Sequence, residues 1–207
     1  MITETEMRKI IREIADIDKR FAPIIEQSIN ESTICDLATK KPDRSHFESL
    51  VTSVTSQQVS NAAAKAIRKR LISECGKVTP ANIAKLSESQ MRGAGLSAAK
   101  VKTIKGLADA SLNKVINFNK LHEQVDDEVY RSLTNLWGIG PWTVDMFMMF
   151  QLGRLNIWPV GDLGVRRGWE QLHNLKEEIS PAQLIKKGEK FAPYRSVVAW
   201  YCWRVID

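Results

Sequence analysis

Two clusters of residues have types and spacing that could do chemistry. The first is Leu133-Thr134-Asn135-Leu136-Trp137-Gly138-Ile139-Gly140-Pro141-Trp142-Thr143, where two glycines and a proline separate one helical pattern from the next. Gly138 and Gly140 permit a tight turn with positive φ, and Pro141 suits the first position of the next helix. Backbone N–H groups from Gly138 to Thr143 then converge at the positive end of a helix dipole, a seat for one phosphate. An ordinary tight helix–helix turn uses the same residues. Ile139, between the glycines, is expected to plug into the core and fix the turn. The second cluster is Leu155-Asn156-Ile157-Trp158-Pro159-Val160-Gly161-Asp162, in which Asp162 follows Trp142 by 20 positions. Proline and glycine shape this loop just before a helix that begins near Leu163, and a helix N-terminus favours an ionised carboxylate. Asp162 is therefore either a plain N-cap or a fixed negative charge that steadies positive charge in a reacting partner.

The elements that must hold these clusters read as helices throughout. Ser45-x-x-Glu48 opens a helix with Phe47, Leu50, Val51 and Val54 at helical spacing. Thr79-Pro80 and Ser180-Pro181 each set a capping hydroxyl before a first-turn proline. Ser87-x-x-Gln90 caps a short turn that stops at Gly93 and Gly95, and Ser97 caps the next helix through Leu107. Another helix starts at Asp126 or Asp127, one follows Pro141, and the last runs from about Tyr194 to Val205. Strand-like alternation is missing, which predicts an all-α chain forming a single compact domain over residues 1–207. The first 45 or so residues are expected to form helices that complete one lobe.

Composition narrows the setting. Of 207 residues 43% are apolar, with only 11 Gly and 7 Pro, which excludes a disordered or fibrous chain. The apolar stretch Met146–Leu152 is too short to cross a bilayer, and the acidic N-terminus is unlike a secretory signal. Cys35, Cys75 and Cys202 are odd in number and far apart, the pattern of reduced thiols in an intracellular protein. The net charge is +6, but residues 57–120 alone carry 12 bases and 3 acids. That segment, with Lys65, Arg68, Lys69, Arg70, Lys100, Lys102 and Lys105, suits a polyanionic partner or makes a solvated helical face.

The hairpin, followed by the Pro/Gly loop and aspartate, resembles the helix-hairpin-helix DNA glycosylase superfamily. The resemblance is closest to its monofunctional alkylation-repair branch, the 3-methyladenine DNA glycosylase II family. It spans most of residues 45–205 and takes in Ser56-Gln57-Gln58-Val59-Ser60, Gly95-Leu96-Ser97-Ala98-Ala99-Lys100 and Pro193-Tyr194-Arg195-Ser196. It implies an all-α, two-lobed fold with the active-site cleft between lobes, the hairpin motif at about 133–147 and a catalytic loop at about 155–165. It further implies a base-excision repair enzyme that flips alkylated bases such as 3-methyladenine or 7-methylguanine out of double-stranded DNA and leaves an abasic site.

Residue by residue, the resemblance makes Asp162 the catalytic carboxylate, beside the sugar whose positive charge grows as the base departs. Trp142 and Tyr194 become aromatic walls for a cationic purine, with Met146 where some relatives carry a second aromatic and Trp158 closing the pocket. Gln58 becomes the wedge that fills the emptied stack, with Ser60 beside it at the minor groove. Gly138, Gly140 and Thr143 would grip a phosphate, and the carbonyls of Thr134, Leu136 and Ile139 can hold Na⁺ or K⁺. Trp142 stands where strand-nicking relatives carry a Schiff-base lysine. Cys202 is alone where others hold an iron–sulfur cluster, so neither a lyase step nor a cluster is expected, and no cofactor is required. His46, His122 and His173 lack metal-ligand spacing. The expected setting is a monomer inside the cell, on the nucleoid of a prokaryote or in a eukaryotic nucleus, with no membrane. A non-catalytic DNA-binding protein with this hairpin and a same-fold glycosylase for mispaired bases are the competing readings.

Overall fold

The computed structural model describes residues 1–206, and all regular structure among them is helical, as expected. In chain order the helices are α1 (Glu4–Ile17), α2 (Ala22–Asn30), α3 (His46–Ser56), α4 (Asn61–Cys75), α5 (Pro80–Lys85) and α6 (Glu88–Gly93). There follow α7 (Ala98–Leu112), α8 (Asp126–Thr134), α9 (Pro141–Phe150), α10 (Leu163–Leu172), α11 (Pro181–Gly188) and α12 (Arg195–Ile206). The capping signals act as read: the hydroxyls of Ser45, Thr79, Ser87, Ser97 and Ser180 each accept a first-turn N–H. Each such cap is worth about 1 kcal/mol over alanine. The box at Ser45 is half built, because Glu48 turns instead to Arg68 of α4 at 3.0 Å. No helix of the described residues is long and apolar enough to cross a membrane.

The chain divides into two compact units, one of residues Pro42–Phe147 and one of Met1–Lys41 joined with the residues from Met148 onward. In the 42–147 unit, α3 packs on α4 and α7, and α5 on α7. Their fully buried faces include Leu50, Val54, Ile83, Ile104 and Leu107. Much of the basic surplus of residues 57–120 is spent inside this unit. Lys100 Nζ donates to the carbonyl of Thr55 at 2.8 Å, at the end of α3. Arg70 Nε donates to Ala94 at 2.8 Å, just past α6, and Lys105 Nζ to Ala84 and Leu86 at the end of α5. These carbonyls have no intrahelical donor and sit at the negative end of a helix dipole, where a cation is favoured. Desolvation lowers the Lys100 pKa below that of an ordinary lysine. Three of the seven bases singled out in the sequence thus terminate helices, which neither reading of that segment anticipated.

In the other unit, residues 1–41 do complete a lobe, pairing with the C-terminal segment. Buried Asp18 is the pin. Burial alone would raise its pKa, but hydrogen bonds from Arg20, Lys190 and His173 outweigh it and hold the carboxyl far below the usual range. His173 in turn stacks on Trp169 with ring centroids 3.9 Å apart. Ser28 of α2 shares a hydrogen bond with Tyr201 of α12 at 3.0 Å. Helices α10 and α12 approach backbone to backbone: a methyl on Gly168 would overlap the carbonyl of Cys202.

Candidate functional site

In the 42–147 unit, α8 ends at Thr134 and α9 begins at Pro141, with Gly138 between them at φ +80°. Glycine is required there twice over, for the left-handed backbone and because a methyl would strike the Thr103 side chain of α7. Ile139 is 4% exposed and plugs the core as expected, while Gly140, Pro141 and Trp142 present an exposed edge. The positive end of the α9 dipole lies at this edge, where negative charge is favoured. Behind it, the Lys102 ammonium lies 4.3 Å over the Trp137 ring.

The loop between α3 and α4 carries Gln58 exposed at its tip, with φ +55°, a left-handed backbone that costs a non-glycine residue energy. Gln57 beside it faces the other way. Its Nε2 donates to Thr143 Oγ1 at 3.2 Å and to the Gly138 carbonyl at 3.4 Å, joining the loop to the hairpin. Two adjacent glutamines look alike in sequence; the turn at Gln58 decides which one faces inward. Ser60 caps α4 by accepting the Ala63 N–H at 3.2 Å. From this loop a groove of about 610 Å³ runs between α3 and α4, lined by Arg44, Lys65, Arg68 and Lys69 over a floor that includes Ala64 and Ile72.

In the other unit, Asp162 is the N-cap of α10: its Oδ1 accepts the Val165 N–H at 2.8 Å. The same oxygen accepts a second bond at 2.8 Å, from the indole Nε1 of Trp203 on α12. Trp203 stacks on Phe150 with centroids 5.9 Å apart and planes at 27°. It passes so close to α10 that a methyl on Gly164 would lie 2.8 Å from its ring. Nothing in the spacing of Trp203 announced this partner.

Comparison with known proteins places these features. Residues 51–193 match the family model described as HhH-GPD superfamily base excision DNA repair protein. The chain belongs to that superfamily. Over 97% of its length it is 31% identical to DNA-3-methyladenine glycosylase 1 of Schizosaccharomyces pombe, covering 88% of that protein. The crystal structure of a DNA-3-methyladenine glycosidase from Bacillus halodurans superposes with a TM-score of 0.79 at 32% identity, covering 94% of this chain and 88% of the other. The S. pombe 3-methyladenine DNA glycosylase in complex with abasic DNA gives a TM-score of 0.78 at 28% identity, covering 96% and 95%.

Within this HhH-GPD chain two of the expected site residues have partners inside the fold. Thr143 is 3% exposed and its hydroxyl accepts from Gln57, bracing the loop against the hairpin. Trp158 donates its indole N–H to the Leu184 carbonyl at 2.9 Å, lies against Gly188 where a side chain would clash, and meets Trp169 edge-on. Its half-buried ring packs against α10 and α11. Trp142 is 45% exposed at the start of α9, with Met146 half-buried one turn on. Tyr194 is half-buried, just before α12, and its N–H donates to the Phe191 carbonyl. Trp142, Met146, Gln58 and the glycine turn belong to the 42–147 unit, Asp162 and Tyr194 to the other.

Proposed function

We infer that this HhH-GPD protein is a monofunctional DNA glycosylase that hydrolyses the N-glycosidic bond of alkylated bases in duplex DNA. The observation that carries the inference is Asp162, a carboxylate fixed by two N–H donors 20 positions after the indole that begins the hairpin's second helix. As an alkylated purine leaves, positive charge grows on the deoxyribose, and a preorganised negative charge stabilises it without reorganising at the moment of reaction. Asp162 also orients or deprotonates the attacking water. The flipped base, itself cationic, is suited to the exposed π-face of Trp142, a contact worth about 0.5–2 kcal/mol. An indole at position 142 cannot attack the sugar as an amine would, so hydrolysis ends at the abasic site.

Gln58, pushed outward by its left-handed backbone, fills the emptied stack, while the exposed edge from Gly138 to Trp142 grips the neighbouring phosphate through backbone N–H groups. The carbonyls of Thr134, Leu136 and Ile139, from the last residue of α8 onward, are the oxygen donors that would hold Na⁺ or K⁺. Leu136 accepts the Ile139 N–H at 3.1 Å, and a carbonyl keeps a second lone pair. A cation there would supply positive charge toward the phosphate; excision itself needs no cofactor.

The test is a set of duplexes bearing single defined lesions. Free alkylated base should be released, with strand breaks arising only after added alkali. Tight binding without release would favour the non-catalytic reading, and release confined to mispaired normal bases would favour the other glycosylase class.

The α3–α4 groove makes a separate prediction. Lys65 and Lys69 line it beside the Gln58 loop, so Lys65→Ala with Lys69→Ala should lower the slope of log K against log salt by about 1–2. Excision under saturating enzyme should not change. An unaltered slope would place the DNA backbone elsewhere.

A further inference from the structure

We propose that Trp203 is the positioning residue of Asp162, a role that rests on Asp162 being the charge-stabilising carboxylate. Its indole Nε1 donates to Asp162 Oδ1 at 2.8 Å, and the α10 backbone N–H of Val165 donates to the same atom at 2.8 Å. The N-cap bond alone ties Oδ1 to the helix end but lets the carboxylate plane swing about that contact. A second donor, 41 residues further along the chain and on another helix, removes the swing.

The chemistry of the donor matters as much as its place. An indole N–H donates and cannot accept. Oδ1 thus meets two N–H groups whose direction fixes where the oxygen sits, and a carboxylate held in place steadies a growing positive charge without reorganising.

The indole is held from both sides. Phe150 stacks on it at 5.9 Å and 27°. On the α10 side, a methyl at Gly164 would lie 2.8 Å from Trp203 Cδ1, 3.0 Å from Nε1 and 3.1 Å from Asp162 Oδ1. Gly164 has an ordinary helical backbone, so what glycine supplies here is room for the ring to reach the carboxylate. Phe150, Trp203 and Gly164 together aim one polar atom at Asp162.

A tryptophan that merely packs would also find its N–H some acceptor, so the experiment must separate aim from packing. Trp203→Phe keeps an aromatic ring on Phe150 and removes the N–H. Single-turnover release of an alkylated purine should fall about tenfold to a hundredfold, the loss expected for one hydrogen bond to a charged group. Affinity for a duplex holding an abasic site should stay within about twofold, since the lost contact acts on the transition state. Gly164→Ala, which leaves Trp203 in the sequence but displaces its ring, should reproduce the same split. It also carries the test if Trp203→Phe does not fold. Asp162→Asn run alongside separates the two ideas. If that variant loses excision while Trp203→Phe and Gly164→Ala keep the parental rate, Trp203 is packing and the proposal is overturned. If Asp162→Asn itself keeps excision, the reading of Asp162 fails, and the role of Trp203 goes with it.

Discussion

Asp162→Asn is expected to slow base release about 10²–10³-fold, the cost of removing one preorganised electrostatic group at a reacting centre. It should bind a lesion duplex as the parent does. The substitution is informative because of how the carboxylate is held. Both donors, Val165 N–H and Trp203 Nε1, reach Oδ1, and an asparagine Oδ1 can accept both. Asparagine is also as good an N-cap as aspartate, so the loss at the fold is limited to the charge–dipole part, about 0.3–1 kcal/mol. The melting temperature should therefore barely move while the rate collapses. Single-turnover excision and thermal melting on the same preparation check the pair. A rate that stays near parental would mean that capping is the whole of this residue's business. Asp162→Ala is the less useful variant, since it removes the cap as well as the charge, about 1 kcal/mol of stability in addition.

What the sequence made legible follows from range of interaction. Caps, proline-started helices and the glycine turn are set by neighbours within four positions, so Ser45, Thr79, Ser97, Pro141 and Gly138 could be read from local spacing. Asp162 could be placed for the same reason, as a cap preceding Leu163. The partners that arrive from far along the chain could not. Trp203 reaches Asp162 across 41 residues, and Gln57 reaches Thr143 across 86. The same distance rule explains the lysines: Lys100 and Lys105 look like a basic surface run until the fold carries the ends of α3 and α5 to them. Trp158 shows the same limit: its position four residues before Asp162 says nothing of Gly188, thirty residues later, which leaves a slot that its indole fills. Residue type named the chemistry at Asp162; only the packing around it shows which face the carboxylate keeps.

The packing of α10 on α12 should prove as sensitive as the chemistry, and Gly168→Ala is the sharpest probe of it. In a helix interior alanine ordinarily beats glycine by about 0.5–1 kcal/mol. At Gly168 the sign should reverse. The added methyl would overlap the carbonyl oxygen of Cys202 and lie 2.9 Å from its Cα, and these are backbone atoms of a buried helix that cannot swing aside. The two helices must separate, at a cost of about 2–3 kcal/mol or more for an overpacked core. For a chain of this length that corresponds to a melting temperature lower by roughly 4–12 °C. Gly106→Ala is the matched control, because α7 leaves open space within 4 Å of where its methyl would go, so there the helical preference for alanine should show as a small gain. Since α10 and α12 carry the two partners of the Asp162–Trp203 hydrogen bond, separating them should also lengthen that contact. Gly168→Ala is therefore expected to lose excision at temperatures well below its own melting point, while Gly106→Ala keeps it. Equal activity in the two variants at such a temperature would show that the spacing of these helices does not govern the carboxylate.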